Sequence, residues 1–589
     1  MIETTERDNK KYDILIPAAA YVVMVVFKIL FVIGNRTVPN LSDEFTYIEF
    51  ARQLAENGSY SSVQYPLFYP LLLTPAFLFG DNFYIAMKII NVLWSSLISV
   101  LVYFIARKFV GYKESAICTA FSMVLPFQYT FPMIMLSENV YYPLFLLAVL
   151  ILISDIKNEW LEVIGFGVLL GIMFMTRHVT LVMLPVFGMA WVLKKFSQKT
   201  KFRTIFIQGC AMVLSCLVAY MPWFVMQFRN GYRVKVIIGF SIASKTNPEQ
   251  LTTDRLVMVA IFYLCFLAVI LAPVLGIMLK SFFAIEWKNL CSRYNRLWFL
   301  VWGLLAINFV AVVRHSWRAN YNYPVFERIK GRYLLYFPML FAVLAVITLY
   351  HRRVVIKNKV VNILLTYIMP CIAVIVSYGI VAKGWFFNLD AATFLGSIEA
   401  IDGIRAVEAG YKYVVIALLF SMIAQVIYDF VDVPLGKLKY GMLMVGVCIV
   451  IAESAGATDG WRAIQEVKEE EDSGVVLCGT KLVEAFEQMP YDENGIYYVY
   501  ADAPNLYRFL NQYTRYETNG KVVFSKKADS MRGENVYVYT KQPEKYVDYF
   551  IENIAQFEFK EENYYLLYIK AEGIEEKIKT SKNRRIRKC

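Results

Sequence analysis

Two adjacent carboxylates, Asp43 and Glu44, follow closely after the first apolar segment of the sequence. One carboxylate can remove a proton from an attacking hydroxyl group, and its neighbour can support it, raise its pKa by like charge or bind a second reactant. Charge at the edge of a membrane segment is costly and is usually retained for function. The alternative is structural, because residues 47–55 show helical spacing and Asp43 can cap a helix on the membrane surface.

Glu138 is a third carboxylate at the edge of an apolar segment. It can bind a sugar or a metal ion, and the alternative is a helix cap or an exposed side chain. His178 and His315 could complete a metal site with Glu44 or Glu138, but no HxxxH or HExxH spacing is present, which favours ordinary side chains. The sequence therefore indicates no certain cofactor and leaves a divalent metal as the open alternative.

Six arginines fall on the same expected face of the membrane as these carboxylates. A guanidinium matches a phosphate with two parallel hydrogen bonds, so some of the six are candidate ligands of an anionic partner. The alternative is that their side chains extend to the lipid headgroups. The six are Arg177, Arg229, Arg314, Arg318, Arg328 and Arg332.

The elements that carry these residues are apolar segments long enough to cross a membrane. The chain of 589 residues is 58% hydrophobic and only 18% charged, which is outside the usual balance of a soluble protein. A helix needs about 20 apolar residues to span the hydrocarbon core, and about 13 segments approach that length. They lie at 14–33, 83–106, 115–134, 139–154, 163–177, 179–193, 205–227, 256–279, 297–313, 333–350, 360–382, 412–428 and 440–456.

Lysine and arginine in short loops set the expected orientation. The clusters at 194–203 and 351–359 fall on one side of the membrane, which should be cytoplasmic. The N-terminus is then inside the cell and, after an odd number of crossings, the C-terminal domain is outside. The loops at 228–255 and 314–332 are basic although they are assigned to the outside, which indicates an anionic partner there.

The sequence predicts two domains, a polytopic α-helical membrane domain at 1–456 and a small soluble α/β domain with a basic tail at 457–589. Runs of aromatic and β-branched residues predict strands in the second domain, and helical spacing predicts a helix between the first two strands. The strands lie at 495–502, 535–541 and 563–570, and the helix lies at 503–513.

Five short motifs resemble those of the GT-C glycosyltransferases, especially the family of protein O-mannosyltransferases and bacterial aminoarabinose transferase. The segment SDEFTYIEFARQL at 42–54 is similar to the Asp-Glu loop of these enzymes, and the others follow in the family's order. They are a Ser-Glu at 137–152, a Gly-rich helix with a Thr-Arg turn at 165–186, a Pro-Trp and Arg at 220–231 and an Arg-Tyr at 327–341. The resemblance covers residues 10–345 and rests on the order of the motifs.

The resemblance implies a GT-C fold and transfer of one sugar from a polyprenyl phosphate at the outer leaflet, with inversion at the anomeric carbon. Such a transfer needs a carboxylate base, which we assign to Asp43, with Glu44 beside it. Arg177, Arg332 and the adjacent Tyr333 lie within the motifs and are the best candidates for the donor phosphate. The acceptor is expected to be an envelope polymer, a lipid or a protein, membrane lipids surround the chain, and nucleic acid is not an expected partner.

Two other functions stay open. A transporter or lipid flippase is also polytopic with buried charges, although we find no paired halves with matching broken helices. A noncatalytic scaffold for envelope assembly would retain its activity when Asp43 is changed. No family motif is found beyond residue 350, and the WWD signature of the oligosaccharyltransferases is missing.

Overall fold

The computed structural model describes residues 3–34, 42–125, 127–239, 251–319, 333–349, 356–382, 403–430, 441–451, 483–484, 497–501, 522–525, 535–559, 562–570 and 572. The chain divides into two compact units. The first unit contains Met1–Thr37 and Phe50–Gln465, and the second contains Val38–Glu49 and Glu466–Cys589.

Helices account for most of the described chain. The α-helices are α1 (Glu3–Gly34), α2 (Ser42–Asn57), α3 (Phe68–Leu73), α4 (Phe83–Arg107), α5 (Tyr112–Val124), α6 (Phe127–Thr130), α7 (Glu138–Ile153), α8 (Glu159–Thr176), α9 (Thr180–Ser197), α10 (Phe202–Arg229), α11 (Val234–Ile237), α12 (Thr253–Ile270), α13 (Leu275–Lys280), α14 (Arg293–Ala319), α15 (Phe337–Ile347), α16 (Lys359–Ile363), α17 (Met369–Ala382), α18 (Gly403–Phe430) and α19 (Gly441–Ile451). Short 3-10 segments lie at Thr74–Asn82, Phe131–Met133, Ser281–Ala284 and Pro543–Tyr549, and a π-helical turn lies at Leu364–Ile368.

Within the described ranges, seven helices are long and apolar enough to cross a membrane. Shorter apolar helices include Glu138–Ile153, Leu275–Ala284 and Phe337–Ile347. This confirms the expected fold class, a polytopic α-helical membrane protein with a small C-terminal α/β part. The seven are Lys11–Leu30, Phe83–Arg107, Glu159–Thr176, Thr180–Ser197, Phe202–Arg229, Arg293–Arg318 and Lys359–Ser377.

Two of the expected continuous spans are broken in the structure. The span expected at 115–134 ends as a helix at Val124, because Leu125 takes an extended conformation (ψ 131°) ahead of Pro126. The span expected at 256–279 is interrupted after Ile270 by a turn that contains Pro273. Proline removes a backbone donor and disfavours helix at the preceding residue, so both breaks have a local cause.

Helices α8 and α10 pack closely in the first unit. A Cβ atom at Gly171 would lie 2.5 Å from the carbonyl oxygen of Cys216, so only glycine permits this approach.

Helices α9 and α14 run antiparallel, since Arg296 donates a hydrogen bond to Ser197 and Gly303 approaches Val186. The start of α9 and the end of α14 therefore lie at the same end of the bundle.

The second unit contains a five-stranded sheet with the order β2-β1-β3-β5-β4. The strands are β1 (Tyr497–Ala501), β2 (Val522–Ser525), β3 (Asn535–Thr540), β4 (Phe550–Phe559) and β5 (Glu562–Lys570). β1 pairs in parallel with β2 and β3, whereas β5 pairs antiparallel with β3 and β4. All three expected strands are confirmed as β1, β3 and β5. The helix expected at 503–513 lies outside the described residues.

Candidate functional site

The adjacent carboxylates Asp43 and Glu44 lie in the first turn of α2 (Ser42–Asn57). Acidic residues are favourable at this position because they face the positive end of the helix dipole. Glu44 is buried, whereas the side chain of Asp43 lies outside the described structure. Further along α2, Phe50 and Leu54 pack on a cluster that includes Trp223, so the helical spacing noted in the sequence is used for packing.

Glu138 and Arg177 form an ion pair between Oε1 and Nη1. The Glu138 side chain is 3% exposed and the Arg177 side chain is 17% exposed. Glu138 is the first residue of α7, and its Oε2 accepts a hydrogen bond from the Ser137 hydroxyl at 3.3 Å. The alternative of an exposed Glu138 is therefore wrong, and the structure brings together two residues that the sequence singled out.

Arg177 is positioned by the end of α8. Its extended backbone (φ −152°, ψ 132°) terminates α8 after Thr176. Residues 177–179 form the turn, and α9 begins at Thr180. The guanidinium lies 4.9 Å from the ring centre of Tyr333 and 5.9 Å from that of Tyr141. Aromatic faces attract a guanidinium, so these rings and Glu138 hold Arg177 in one place.

Of the other five predicted arginines, the structure describes three. Arg229 is the last residue of α10 and is exposed. Arg314 and Arg318 belong to the last turns of α14, which extends beyond the segment expected at 297–313; Arg314 is exposed and Arg318 is half-buried. Arg328 and Arg332 lie outside the described residues.

The two histidines occupy different surroundings. His315 is exposed, and its ring lies 5.9 Å from that of Tyr333. His178 follows Arg177, and its Nε2 donates a hydrogen bond to the Val63 carbonyl at 2.9 Å. Burial lowers the pKa of His178, and the bond to Val63 only partly opposes this effect. Burial therefore favours the neutral form of His178, and its hydrogen bond to Val63 holds the turn of Arg177 against that segment.

The described side chains include no group of three or more His, Cys, Asp or Glu that could hold a metal ion. The Glu138 carboxylate instead pairs with Arg177, and His178 donates to a backbone carbonyl.

An apolar groove of about 500 Å³ lies between α8, α9 and α10. Its floor is buried and its rim is exposed to the surroundings of the bundle. Phe174 and Leu181, which both line it, flank the turn that carries Arg177, so the groove runs from the bundle interior to the Arg177 end. The floor includes Leu170, Phe174 and Tyr220, and the rim includes Val213, Leu217 and Met221.

The buried lysines that sequence reasoning did not single out include Lys28 and Lys88. Lys28 of α1 donates hydrogen bonds to the Ser95 hydroxyl at 2.8 Å and to Gln128 Oε1 at 3.0 Å. Lys88 of α4 lies 4.3 Å from the ring centre of Tyr84. The sequence carries a signal for both residues, because each is a single lysine inside an apolar segment. A lysine at such a position is costly and is usually retained for function.

The fold is similar to that of ArnT from Cupriavidus metallidurans in the apo state, with a TM-score of 0.55, 12% identity, and coverage of 94% of this chain and 98% of that chain. ArnT from the same organism bound to undecaprenyl phosphate gives a TM-score of 0.56, 13% identity, and coverage of 94% and 97%. The chain has the GT-C fold. No protein-family model and no curated protein matches the sequence. The sequence motifs end at residue 345. The structural similarity to ArnT covers 94% of the chain and therefore extends well beyond them.

Proposed function

We propose that this chain is a membrane glycosyltransferase that moves a single sugar from a polyprenyl-phosphate donor to an acceptor on the outer face of the cell membrane. The observation that carries the proposal is the ion pair of Arg177 with Glu138, in a turn whose flanking residues Phe174 and Leu181 line the apolar groove. A polyprenyl-phosphate sugar has an anionic head, which matches the Arg177 guanidinium, and a long apolar chain, which matches the groove. The likeness in fold to ArnT bound to undecaprenyl phosphate supports this class of donor.

The proposed reaction inverts the anomeric carbon in one displacement. The acceptor hydroxyl oxygen attacks that carbon while the Asp43 carboxylate takes its proton. The bond from the anomeric carbon to the phosphate oxygen breaks, and its electron pair stays on the departing polyprenyl phosphate. Glu44 supports Asp43 or binds the acceptor.

Arg177 has the role of stabilising the departing phosphate. A guanidinium carries five N–H donors, so it can hold both the Glu138 carboxylate and a phosphate oxygen. Glu138 fixes the guanidinium before the substrate arrives, which avoids reorganisation during the reaction. We assign further contacts with the donor to Tyr333 and to the remaining arginines, Arg229, Arg314, Arg318, Arg328 and Arg332.

The orientation belongs to the same proposal. The N-terminus is cytoplasmic and the C-terminal domain is extracytoplasmic, which places Asp43, Glu138 and Arg177 on the outer side. The acceptor is an envelope polymer, a lipid or a protein that is reached from that side.

The test is transfer by the purified full chain in lipid vesicles that contain polyprenyl-phosphate sugars, with Asp43→Asn compared with Glu56→Gln. Both changes remove one carboxylate from α2, but Glu56 is exposed at the other end of that helix. We expect Asp43→Asn to lower the transfer rate about 100- to 10,000-fold, as loss of a general base does, and Glu56→Gln to leave it unchanged.

Unchanged transfer by a folded Asp43→Asn protein would overturn the assignment of the base. Movement of a labelled polyprenyl lipid across the bilayer without sugar transfer by the unaltered protein would overturn the transferase proposal in favour of a flippase.

A further inference from the structure

The hydroxyl group of Tyr336 is buried and has no hydrogen-bond partner among the residues that the structure describes. Tyr336 precedes α15 and is 3% exposed, with its ring centre 5.1 Å from that of Tyr142 and 4.8 Å from that of Phe145. Its hydroxyl makes no hydrogen bond to any residue that the structure describes. Buried phenols usually do find a partner, so this one calls for an explanation.

Other buried tyrosines of the first unit are satisfied by the protein. The Tyr141 hydroxyl accepts a hydrogen bond from the Thr180 hydroxyl at 3.2 Å, and Tyr220 donates to the Ile237 carbonyl at 2.9 Å. The ring of Tyr336 is as enclosed as the rings of Tyr141 and Tyr220. Its hydroxyl differs from theirs because it makes no hydrogen bond to a described group.

Tyr336 belongs to the surroundings of the ion pair. The ring of Tyr141 lies 6.1 Å from the ring of Tyr336 and 5.9 Å from the Arg177 guanidinium, so one side chain contacts both. The ring of Tyr141 therefore lies between Tyr336 and the guanidinium that we assign to the donor phosphate.

We propose that the Tyr336 hydroxyl donates a hydrogen bond to an oxygen of the bound lipid-phosphate sugar. This inference rests on the proposed function, because it takes the donor substrate as the missing partner. A phenol is a neutral donor, and phosphate and sugar oxygens both accept. Since the hydroxyl has no hydrogen bond to a described residue that binding would break, the new contact favours binding.

The test is Tyr336→Phe, which keeps the ring and removes only the hydroxyl. We expect the unfolding temperature to stay unchanged or to rise, because an unsatisfied polar atom is removed. Affinity for undecaprenyl phosphate should fall about 10- to 100-fold if the partner is a phosphate oxygen. If the partner is a sugar oxygen, that affinity stays constant and only the affinity for the sugar-bearing donor falls.

Tyr220→Phe is the control for a structural role, because its hydroxyl is satisfied by the protein and its loss should lower the unfolding temperature. Unchanged affinity of Tyr336→Phe for both lipids would overturn the proposal, as would a fall in unfolding temperature like that of Tyr220→Phe. The binding measurement needs no turnover. If the unaltered protein binds undecaprenyl phosphate but transfers no sugar, the proposed function fails, and weaker binding by Tyr336→Phe still supports the contact.

Discussion

Arg177 and Glu138 are paired inside the protein although they come from the end of α8 and the start of α7. The carboxylate is almost fully enclosed, so it depends on the guanidinium for its charge balance. The same guanidinium lies against the rings of Tyr333 and Tyr141, and Phe174 and Leu181 on either side of its turn line the apolar groove. The pair can thus stabilise the fold and bind an anion, and these two roles can be separated by mutation.

Arg177→Met should lower the free energy of unfolding by about 3–5 kcal/mol, because it leaves the Glu138 carboxylate buried without its cation. The double variant Glu138→Gln with Arg177→Met should recover most of this loss, since no buried charge remains. Its sugar transfer should stay low because the phosphate has lost its guanidinium. The measurements are detergent unfolding curves and transfer rates, and recovery of transfer along with stability would show that the pair is only structural.

Gly188 of α9 lines the apolar groove, and a Cβ atom there would meet nothing within 4 Å. Gly188→Leu should therefore fill the groove without a clash and weaken the binding of undecaprenyl phosphate. Both Gly188→Leu and the control Gly165→Leu should gain up to about 1 kcal/mol of stability from helix propensity. Gly165 lies on the exposed face of α8 and has the same open surroundings, but it does not line the groove.

A shorter polyprenyl chain provides a second check on the groove. Gly188 is eight residues into α9, so it lies about 12 Å from the start of the helix. Lipid phosphates whose chains end before that point should bind to Gly188→Leu as they bind to the unaltered protein. Equal binding of the long lipid by the two glycine variants would contradict the assignment of the groove to the lipid chain.

His178 should make stability depend on pH. Burial lowers its pKa in the folded protein, whereas the unfolded chain titrates near the ordinary value of about 6.5. Below that pH the unfolded chain binds a proton that the folded protein resists, so the contribution of His178 is complete above about pH 6.5 and is lost as the pH falls. His178→Gln keeps a donor for the Val63 carbonyl and does not titrate.

The comparison requires unfolding temperatures of the unaltered protein and of His178→Gln between about pH 5 and pH 8. The unaltered protein should lose more stability on acidification than the variant. Parallel curves would mean that His178 takes up its proton as readily in the folded protein as in the unfolded chain.

The sequence predicted the parts of the molecule that depend on local pattern. Strands β1, β3 and β5 were found from dense aromatic and β-branched runs, whereas β4 was missed because charged residues such as Glu552 and Glu558 interrupt its apolar pattern. Charges of this kind are common on edge strands, and β4 lies at the edge of the sheet.

The candidate site was predicted only as a set of separate residues. Glu138 and Arg177 were singled out, but their pairing was not predicted. The pairing depends on how α7 and α8 pack, and the local sequence around each residue does not specify that packing. The unsatisfied hydroxyl of Tyr336 could not be foreseen, because satisfaction of a polar atom depends on the whole three-dimensional environment. The prediction of Asp43 as a base stays a prediction.

A buried ion pair at the other end of the first unit gives a separate test of stability. Lys280 of α13 lies 2.8 Å and 2.6 Å from the two carboxylate oxygens of Asp429 in α18, and Asn362 donates to the same carboxylate at 2.8 Å. Asp429→Asn should cost about 3–5 kcal/mol of unfolding free energy, because the lysine is left buried without its carboxylate. The double variant Lys280→Met with Asp429→Leu should recover most of that loss.

The matched control is Asp155→Asn, which breaks the ion pair of Asp155 with Arg293. That pair is exposed to solvent, so its loss should cost less than about 1 kcal/mol. Unfolding in detergent measures all of these variants. A similar cost for Asp155→Asn and Asp429→Asn would mean that burial does not govern the strength of the Lys280 pair.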